Sequence, residues 1–386
     1  MKDLNPNIVQ EIIDWRHQIH AYPELAFQEY RTSDLVAEKL TEFDVEVHRG
    51  LAGTGVVGVL NRGDGPKIGL RADMDALPLQ EENSFAHKSM VPGRMHACGH
   101  DGHTAMLLGA AKILAADNDW QGTIVFIFQP AEENEGGGKK MVEEGLFKTF
   151  PVDAVFGLHN WPTLPVGKIA VNAGPMMAGS DSFEIKIEGK GTHAAMPNTG
   201  NDLLVLASQL VLSFQTIISR EIHPLESGVI SVTQIHGGDA FNILPASVIL
   251  RGTVRYFKPH IQDFIQSRMQ KMISNFCDLH NCSFHFSYSR RYPPTVNSAN
   301  ESEFCKNTVR KLFGTGNLVE DSLPSMGAED FSFMLNEKPG CYIWLGNGEK
   351  QGGCMLHNPN YDFNDDAVIY GVQYWVGLAK EYLKSV

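Results

Sequence analysis

The chain has 386 residues, of which 43% are apolar and 20% are charged, and its formal net charge is −13. This length predicts two or three domains with a large core, because one domain usually contains about 100 to 200 residues. We do not expect so acidic a chain to bind nucleic acid or an anionic membrane surface, since both require basic patches. No run of about 18 consecutive apolar residues occurs, so the sequence predicts no membrane-spanning helix.

The cysteines and the N-terminal residues indicate the compartment. Six cysteines are scattered along the chain, at positions 98, 277, 282, 305, 341 and 354. Scattered cysteines in a chain of this size are typical of a reducing compartment and do not suggest a disulfide framework. The first residues, MKDLNPNIVQEIIDW, lack the apolar segment of a secretory signal. The sequence therefore predicts a cytoplasmic protein.

The N-terminal part of the chain alternates strands and helices. The first 45 or so residues predict two helices, separated at Tyr22-Pro23-Glu24. Apolar runs then predict strands at 55–60, 67–70, 123–128 and 153–158, with helices at 104–116 and 139–146 between them. Continuous apolar strands joined by helical crossovers are typical of a parallel or mixed sheet that is covered on both faces.

The pattern changes near residue 178. From there we predict strand 182–188, helix 202–221, strands 228–234 and 247–256, helix 261–276 and strand 283–288. This βαββαβ order is the ferredoxin-like arrangement. A helix at 301–313, a strand at 341–345 and a last helix from 365 follow it. We therefore expect a catalytic domain of residues 1–178 and 292–386 with an inserted domain of residues 179–291, and candidate hinges at 174–179 and 292–295.

Two motifs resemble known sites but favour simpler explanations. Gly53-Thr-Gly55-Val-Val-Gly58 matches the GxGxxG pattern of dinucleotide sites, but strand-like residues follow it where that motif requires a helix. Cysteine and histidine at positions 277, 280, 282 and 285 have the spacing of a zinc knuckle. The alternation Cys282-Ser-Phe-His285 would place the last two of these ligands on opposite faces of a strand. We expect a glycine-rich turn and a helix-to-strand junction instead.

Four segments rich in metal-ligand side chains lie at strand ends or before a helix. They are Arg71-Ala-Asp73-Met-Asp75, His96-Ala-Cys98-Gly-His100-Asp-Gly-His103, Gln129-Pro-Ala-Glu132-Glu133 and His159, with His357 as a fifth candidate in a later glycine-rich loop. Each residue alone has an ordinary explanation as a helix cap, a turn residue or a solvated surface group. Their coincidence at neighbouring strand ends predicts one metal site, because ligands of open α/β sheets bind at the carboxyl ends of the strands.

Five ordered motifs make the sequence resemble a known family. They are residues 71–78, 96–103, 129–133, 191–197 and 325–331. They resemble the hippurate-hydrolase and auxin-conjugate-hydrolase branch of the aminoacylase–carboxypeptidase G metallopeptidase family, over about residues 10–380. The resemblance implies a mixed-sheet α/β metallopeptidase-like catalytic domain with an inserted ferredoxin-like lid or dimerisation domain, and a homodimer or homotetramer formed through that domain. It also implies hydrolysis of small N-acyl amino acids.

The same resemblance implies a two-metal site. Cys98, His100, Glu133, His159 and His357 match the metal positions. Glu132 matches the general base, and Asp75 matches an acidic residue that orients a ligand. Many relatives have a ligand histidine where this chain has Asp73, and Cys98 takes that ligand's place here. Thiolate, imidazole and carboxylate ligands favour zinc, with manganese, nickel and cobalt as alternatives.

The inserted domain supplies three of the remaining implied residues, and the second part of the catalytic domain supplies Gly327. His193 matches an oxyanion donor, and Asn242 and Arg255 match positions that hold the substrate carboxylate. Gly327 belongs to a segment that lines the substrate pocket through its backbone. For Arg255 a cross-strand ion pair is the alternative explanation. A metallo-dipeptidase or carboxypeptidase and a non-catalytic binding protein are the alternative functions.

Overall fold

The structure is a computed structural model that describes residues 4–348 and 354–384. The chain divides into two compact units. The larger unit contains the described residues up to Met176, Val296–Leu323 and the described residues from Asp330 onward. The smaller unit contains Met177–Thr295 and Pro324–Glu329. The sequence alone does not predict that 324–329 belongs with the inserted segment.

The elements have the following bounds. Among the described residues the α-helices are α1 (Pro6–Ala21), α2 (Tyr30–Glu42), α3 (His100–Ala116), α4 (Gly137–Glu143), α5 (Leu146–Thr149), α6 (Leu203–Thr216), α7 (Pro259–Leu279), α8 (Ala299–Phe313), α9 (Ser332–Glu337) and α10 (Val368–Leu383). The strands there are β1 (Glu46–Leu51), β2 (Gly55–Arg62), β3 (Lys67–Asp73), β4 (Gly122–Gln129), β5 (Ala154–Trp161), β6 (Ile169–Ala170), β7 (Gly174–Met177), β8 (Gly179–Glu188), β9 (Thr192–His193), β10 (Gly228–His236), β11 (Ile243–Leu244), β12 (Ser247–Tyr256), β13 (Ser283–Tyr292), β14 (Thr295–Asn297), β15 (Leu318–Val319) and β16 (Gly340–Gly346).

A mixed sheet forms the centre of the larger unit. In the described part of the chain its strand order is β1-β2-β4-β3-β5-β16-β6-β15. Strand β3 runs parallel to β4 and β5, and β16 runs parallel to β5. The carboxyl ends of these four strands therefore lie at the same edge of the sheet. Strands β4 and β16 are buried along their whole length, which explains their continuous apolar sequences.

Helix α3 crosses the core of the larger unit and is buried on nearly all sides. Gly109 allows α1 and α10 to approach α3 closely, since a Cβ atom at this position would clash with Ile12 of α1 and lie 3.2 Å from Val372 of α10. The helix begins at His100, whereas the sequence predicts a start near residue 104. The reason is Gly99, whose left-handed backbone (φ 92°) turns the chain directly into the first helical residue.

Other elements differ from the sequence-based expectation for local reasons. The helix predicted at 139–146 is divided into α4 and α5 at Gly145, which has a φ of 98°. Strand β1 is half polar and partly exposed, so its sequence lacks the apolar run of the central strands. The Gly53–Gly58 motif leads into strand β2, as expected for a turn. Helix α7 ends at Leu279 and β13 begins at Ser283, as expected for a helix-to-strand junction.

The smaller unit contains an antiparallel sheet of strand order β10-β12-β8-β13 with helices α6 and α7 packed on it. In β8 buried and partly exposed residues alternate, and Phe183, Ile185 and Ile187 form the buried face. The order βαββαβ and the central position of the first and third strands give the ferredoxin-like arrangement predicted from the sequence.

One helical stretch of the smaller unit, Leu203–Glu221, is long and apolar enough to cross a membrane by length and composition alone, with a mean hydropathy of 1.5. It contains polar residues, so the sequence has no continuous apolar run there. Leu206, Leu210 and Phe214 of this stretch pack into the core beside the sheet. Part of its apolar composition is therefore explained by the fold of the smaller unit.

A buried ionic cluster joins three segments of the larger unit. The Arg16 guanidinium of α1 is fully buried and donates to Asp101 Oδ2 at 3.0 Å, at the start of α3. It also donates to Asp362 Oδ1 at 2.9 Å and to Asp365 Oδ1 at 2.6 Å, just before α10. Since a buried guanidinium is costly without partners, these carboxylates fix the positions of the three segments.

His20 extends this cluster and predicts a pH-dependent stability. Burial alone would lower the pKa of His20, but its contacts with Asp101 (2.9 Å) and Glu81 (3.2 Å) outweigh burial and raise the pKa to about 9. The stabilisation is therefore complete below pH 6.5, the ordinary pKa, and is lost as the pH rises through 9. We expect His20→Gln to lower the free energy of unfolding most at pH 6. The difference in free energy of unfolding between wild type and His20→Gln should become smaller as the pH rises, by at most about 3 kcal/mol at pH 9.5.

Chemical denaturation of both proteins at several pH values measures this difference. His48→Gln, which changes a partly exposed histidine of β1 that contacts Glu46 outside this cluster, is the matched control. A His20→Gln deficit that is constant across the pH range would contradict a charged His20.

Candidate metal centre

The strand register of the larger unit brings the predicted ligand segments together. Asp73 of β3 lies opposite Gln129 of β4, and Arg71 of β3 lies opposite Gly157 of β5. The residues that follow these strands therefore leave the sheet at neighbouring points. Asp75, Glu132 and Glu133, and His159 of β5 all lie near the same edge, as the sequence predicts from the ends of parallel strands.

The turn before α3 places two further side chains at this edge. Cys98 and His100 flank Gly99, whose positive φ and crowded surroundings require a residue without a side chain. A Cβ atom at position 99 would clash with the Asn160 side chain and lie 2.9 Å from Tyr361 Oη. The glycine thus lets the turn sit against β5, and Cys98 Sγ lies 3.4 Å from His159 Nε2.

The five predicted ligands form two groups that share one thiol. The ligand atoms of Cys98, His100 and His159 all lie within 4.8 Å of one another, and so do those of Cys98, Glu133 and His357. The first group is buried, whereas the His357 side chain is 52% exposed. Two adjacent groups joined by a shared sulfur are the arrangement expected of a pair of neighbouring cations. Sulfur, imidazole and carboxylate donors suit Zn²⁺ and related divalent metals.

The histidines are oriented as metal ligands require. His159 Nδ1 lies 2.7 Å from the Asn160 carbonyl oxygen, to which it donates, so Nε2 is left to face Cys98. His100 Nδ1 lies 2.9 Å from the Asp75 carbonyl oxygen. His100 Nε2 is buried and has no hydrogen-bond partner among the described residues, and Asp73 Oδ2 lies 3.7 Å from it. A buried nitrogen without a hydrogen bond is rare in proteins, and a cation would satisfy it.

The charges at the site also fit a cation. Burial alone would lower the pKa of His100, but the carboxylates of Asp73 and Asp75 raise it to about 10. Burial, followed by the charges of Glu133 and Glu132, raises the pKa of the Cys98 thiol. The Cys98 thiol and the His100 imidazole thus retain protons in a buried space beside several carboxylates. A divalent cation would replace those protons, so the residues present fit a metal.

Asp75 connects the ligands with the candidate base. Its Oδ1 accepts a hydrogen bond from the backbone N–H of Glu132 at 3.0 Å, and its Oδ2 accepts one from Glu133 N–H at 2.9 Å. Its Oδ1 also lies 3.2 Å from His100 Nδ1. One buried carboxylate therefore positions two adjacent glutamates and one ligand histidine. The ligand atoms of Glu132, Glu133 and His100 lie within 4.8 Å of one another.

A buried network beneath the site is not evident from the sequence. Arg71 donates to Asp73 Oδ2 at 2.7 Å, to Asp330 Oδ1 at 3.0 Å and to Gln129 Oε1 at 2.8 Å. Asp73 Oδ1 lies 2.6 Å from His103 Nδ1. Burial would raise the pKa of Asp73, but the positive charges of its neighbours hold it well below its ordinary value. Within the motif at 325–331, the Asp330 side chain belongs to this network. The signal in the sequence is an arginine inside an apolar strand, which requires buried acidic partners.

The remaining predicted residues lie in the smaller unit. His193 of β9 pairs with Ile243 of β11, and the Ala194 N–H donates to the Asn242 carbonyl oxygen at 2.9 Å, so His193 and Asn242 are neighbours. The His193 side chain is exposed. Gly327 is exposed, and its carbonyl oxygen accepts a hydrogen bond from Ala178 N–H at 2.9 Å.

Arg255 of β12 is half-buried, and burial and the nearby Arg291 lower its pKa. The residues opposite it are Ser180 of β8 and Val229 of β10, and neither is acidic. An ion pair with a directly opposed residue is therefore not available to Arg255. Its role in holding a substrate carboxylate stays a prediction.

Asp75→Asn tests the shared carboxylate. The amide group would direct a donor toward one of the two backbone N–H groups, so a glutamate or His100 would lose its orientation. We expect metal affinity to fall about 10- to 100-fold, as measured by competition with a chromogenic chelator. Asp64→Asn, in the exposed turn after β2, is the matched control. Unchanged metal affinity in the Asp75 variant would show that this carboxylate does not orient the ligands.

The chain is similar to characterised proteins over nearly its whole length. A family model described as Peptidase family M20/M25/M40 matches residues 69–381. IAA-amino acid hydrolase ILR1-like 2 from Arabidopsis thaliana is 43% identical over 385 residues, covering 97% of this chain and 87% of the relative. Hippurate hydrolase from Campylobacter jejuni is 40% identical over 386 residues, covering 98% and 100%. The crystal structure of the YXEP protein of Bacillus subtilis, named a dinuclear metal binding peptidase, matches with a TM-score of 0.86 and 32% identity, covering 99% of this chain and 100% of that one.

These similarities confirm the resemblance found in the sequence motifs, the mixed α/β fold class and the assignment as a hydrolytic enzyme. The likeness to a dinuclear protein agrees with the two groups of candidate ligands that share Cys98. The chain belongs to peptidase family M20/M25/M40.

Proposed function

We propose that the protein hydrolyses the amide bond of N-acyl-L-amino acids and releases a carboxylic acid and a free amino acid. The observation that carries this function is the pair of ligand groups that share Cys98, with the Glu132 carboxylate within 4.8 Å of the His100 and Glu133 ligand atoms. The relatives named as hydrolases of IAA-amino acids and of hippurate support this substrate class, since both names describe N-acyl amino acids.

The proposed cofactor is a pair of divalent cations held by Cys98, His100, Glu133, His159 and His357. Zinc is the first candidate because of the thiol, and manganese, nickel and cobalt are alternatives. When bound, two such cations lower the pKa of water and polarise the scissile carbonyl.

Glu132 is proposed as the general base. Its side chain is buried, and its backbone is held by Asp75. A buried carboxylate next to the ligands can accept a proton from the attacking water and return it to the leaving amine. Glu133, the next residue, lies 3.0 Å from His357 Nε2 and belongs to the ligand groups. The two adjacent glutamates therefore have different tasks.

The smaller unit is proposed to recognise the substrate. His193 would donate to the oxyanion of the tetrahedral intermediate, and Asn242 and Arg255 would hold the substrate carboxylate. Gly327 would contribute backbone groups to the pocket. The contact between the His193 turn and the Asn242 backbone supports a common role for these two residues.

The smaller unit is also the proposed site of oligomerisation, to a homodimer or homotetramer. Strand β10 lies at the edge of its sheet, and Ile235 in that strand is 52% exposed. Leu212 of α6 is 72% exposed. An open strand edge and exposed apolar side chains can both be covered by a second copy of the chain. We further propose that the protein is cytoplasmic, on the basis of its scattered, unpaired cysteines.

Hydrolysis of a small substrate panel tests the proposed function. We expect N-acetyl- and N-benzoyl-amino acids to be cleaved after reconstitution with a divalent metal, and a chelator to abolish the activity. Faster cleavage of unblocked dipeptides would instead indicate a dipeptidase. Hydrolysis that persists after complete metal removal would contradict the metal-dependent mechanism.

Two variants separate the base from the ligands. Glu132→Gln removes the proton acceptor and keeps the shape of the side chain. We therefore expect it to bind metal like wild type and to lose at least about 100-fold in kcat. Cys98→Ala removes the ligand common to both groups, so we expect metal content itself to fall. Elemental analysis and kcat of the two proteins check these outcomes, and full activity in either variant would show that its role is wrongly assigned.

A further inference from the structure

We propose, on the basis of the hydrolase function proposed above, that Glu29 is a positioning residue for Glu132 and acts through the backbone N–H of Ala131. Glu29 lies about a hundred positions before the residue it positions, outside the four ligand-rich segments of the sequence. The contacts of its side chain connect the start of α2 with the chain segment that carries the general base.

The Glu29 side chain is buried and turned away from its own helix. Glu29 stands directly before α2, and its carbonyl oxygen accepts the Ser33 N–H at 2.8 Å. Its carboxylate makes no capping hydrogen bond to α2. Instead, Oε1 accepts hydrogen bonds from Ala131 N–H at 2.9 Å and from Phe27 N–H at 3.0 Å. The carboxylate is therefore committed to the segment that precedes Glu132.

Ala131 needs such a partner. Its φ of 55° is in the left-handed region, which residues other than glycine rarely adopt. The segment is held at three consecutive amides, because Glu29 accepts from Ala131 N–H while Asp75 accepts from the N–H groups of Glu132 and Glu133. Two buried carboxylates from different parts of the chain thus fix the backbone from which the Glu132 side chain extends.

The glycine-rich turn at 53–55 gives this contact its support. Thr54 Oγ1 donates to Glu29 Oε2 at 2.5 Å, and Thr54 is buried. Gly53 has a φ of 85°, and a Cβ atom at Gly55 would clash with the Leu51 carbonyl oxygen and lie 3.3 Å from Pro130 Cδ. Gly53 thus allows the turn to form, and Gly55 lets it close and pack against the base segment, so that Thr54 reaches Glu29. The glycine motif that resembles a dinucleotide site therefore supports Glu29 through Thr54.

Loss of the Glu29 carboxylate should affect the reaction more than the binding of metal or substrate. Ala131 N–H would be left buried without its acceptor, and the strained backbone at Ala131 could relax. The Glu132 carboxylate would then lose its fixed direction. Glu133 would keep its contact with Asp75, His159 belongs to β5, His100 begins α3, and His357 N–H donates to the Ala97 carbonyl oxygen.

Kinetics of four variants, measured at pH 8 with saturating metal, test this role. Burial, followed by the charge of Asp75, raises the pKa of Glu29 to about 7, so pH 8 keeps the carboxylate ionised. We expect Glu29→Ala to lower kcat at least tenfold, with KM within threefold and metal content equal to wild type. Glu29→Gln keeps an oxygen for Ala131 N–H and should recover most of this loss. Thr54→Val should lower kcat two- to fivefold, and Thr54→Ser should behave as wild type.

Glu24→Ala is the matched control. The Glu24 carboxylate accepts from Arg31 N–H and Thr32 N–H at 3.0 Å each, so it caps the same helix without contacting the base segment. Its loss should lower thermal stability and leave kcat unchanged. A kcat loss in Glu24→Ala as large as in Glu29→Ala, or metal loss in Glu29→Ala, would overturn the positioning role.

Amide hydrogen exchange of the peptide that contains residues 129–135 separates this role from the reaction itself. Faster exchange is expected in Glu29→Ala and not in Glu24→Ala. If the wild-type protein cleaves no amide substrate, the proposed function fails, while the exchange data still show whether Glu29 holds the segment. Faster exchange with wild-type kcat, or unchanged exchange, would overturn the role of Glu29.

Discussion

The candidate site depends on one buried carboxylate, that of Asp75. Its oxygens and its carbonyl group contact the backbone of two adjacent glutamates and the ring of His100. A buried charge is stable only when it is fully hydrogen-bonded, so its partners have little freedom to move. The hydrogen bonds that satisfy Asp75 therefore also hold the candidate base Glu132 and the candidate ligands Glu133 and His100 in fixed relative positions.

Buried charged groups are also paired with opposite charges below and beside the site. Arg71 joins Asp73 to Asp330, and Arg16 joins α1 to the start of α3. Each network connects segments that are far apart in sequence. The apolar core packs the sheet against α3, while these networks set the direction of polar groups that packing alone would leave undetermined. Rigid support of this kind is what a preorganised catalytic site requires.

Much of the larger unit follows from its sequence, because its central strands are continuous apolar runs and most of its candidate ligands lie near the ends of these strands or at the start of α3. The sequence is less informative where a single backbone angle decides the structure. The start of α3 depends on Gly99, and the division between α4 and α5 depends on Gly145. Long-range contacts of a single side chain, such as Glu29 with Ala131, leave no periodic pattern in the sequence. The positions of Asp330 and Glu29 therefore emerge only from the folded chain.

The unequal burial of the two ligand groups has a consequence for occupancy. Cys98, His100 and His159 are enclosed, while the group completed by His357 faces the solvent on one side. Of the two proposed ions, the one on the solvent side has the shorter path to bulk water and should dissociate sooner. Partly loaded protein would then consist mainly of chains that keep the inner ion, and the stoichiometry of a preparation would depend on how long it had been dialysed.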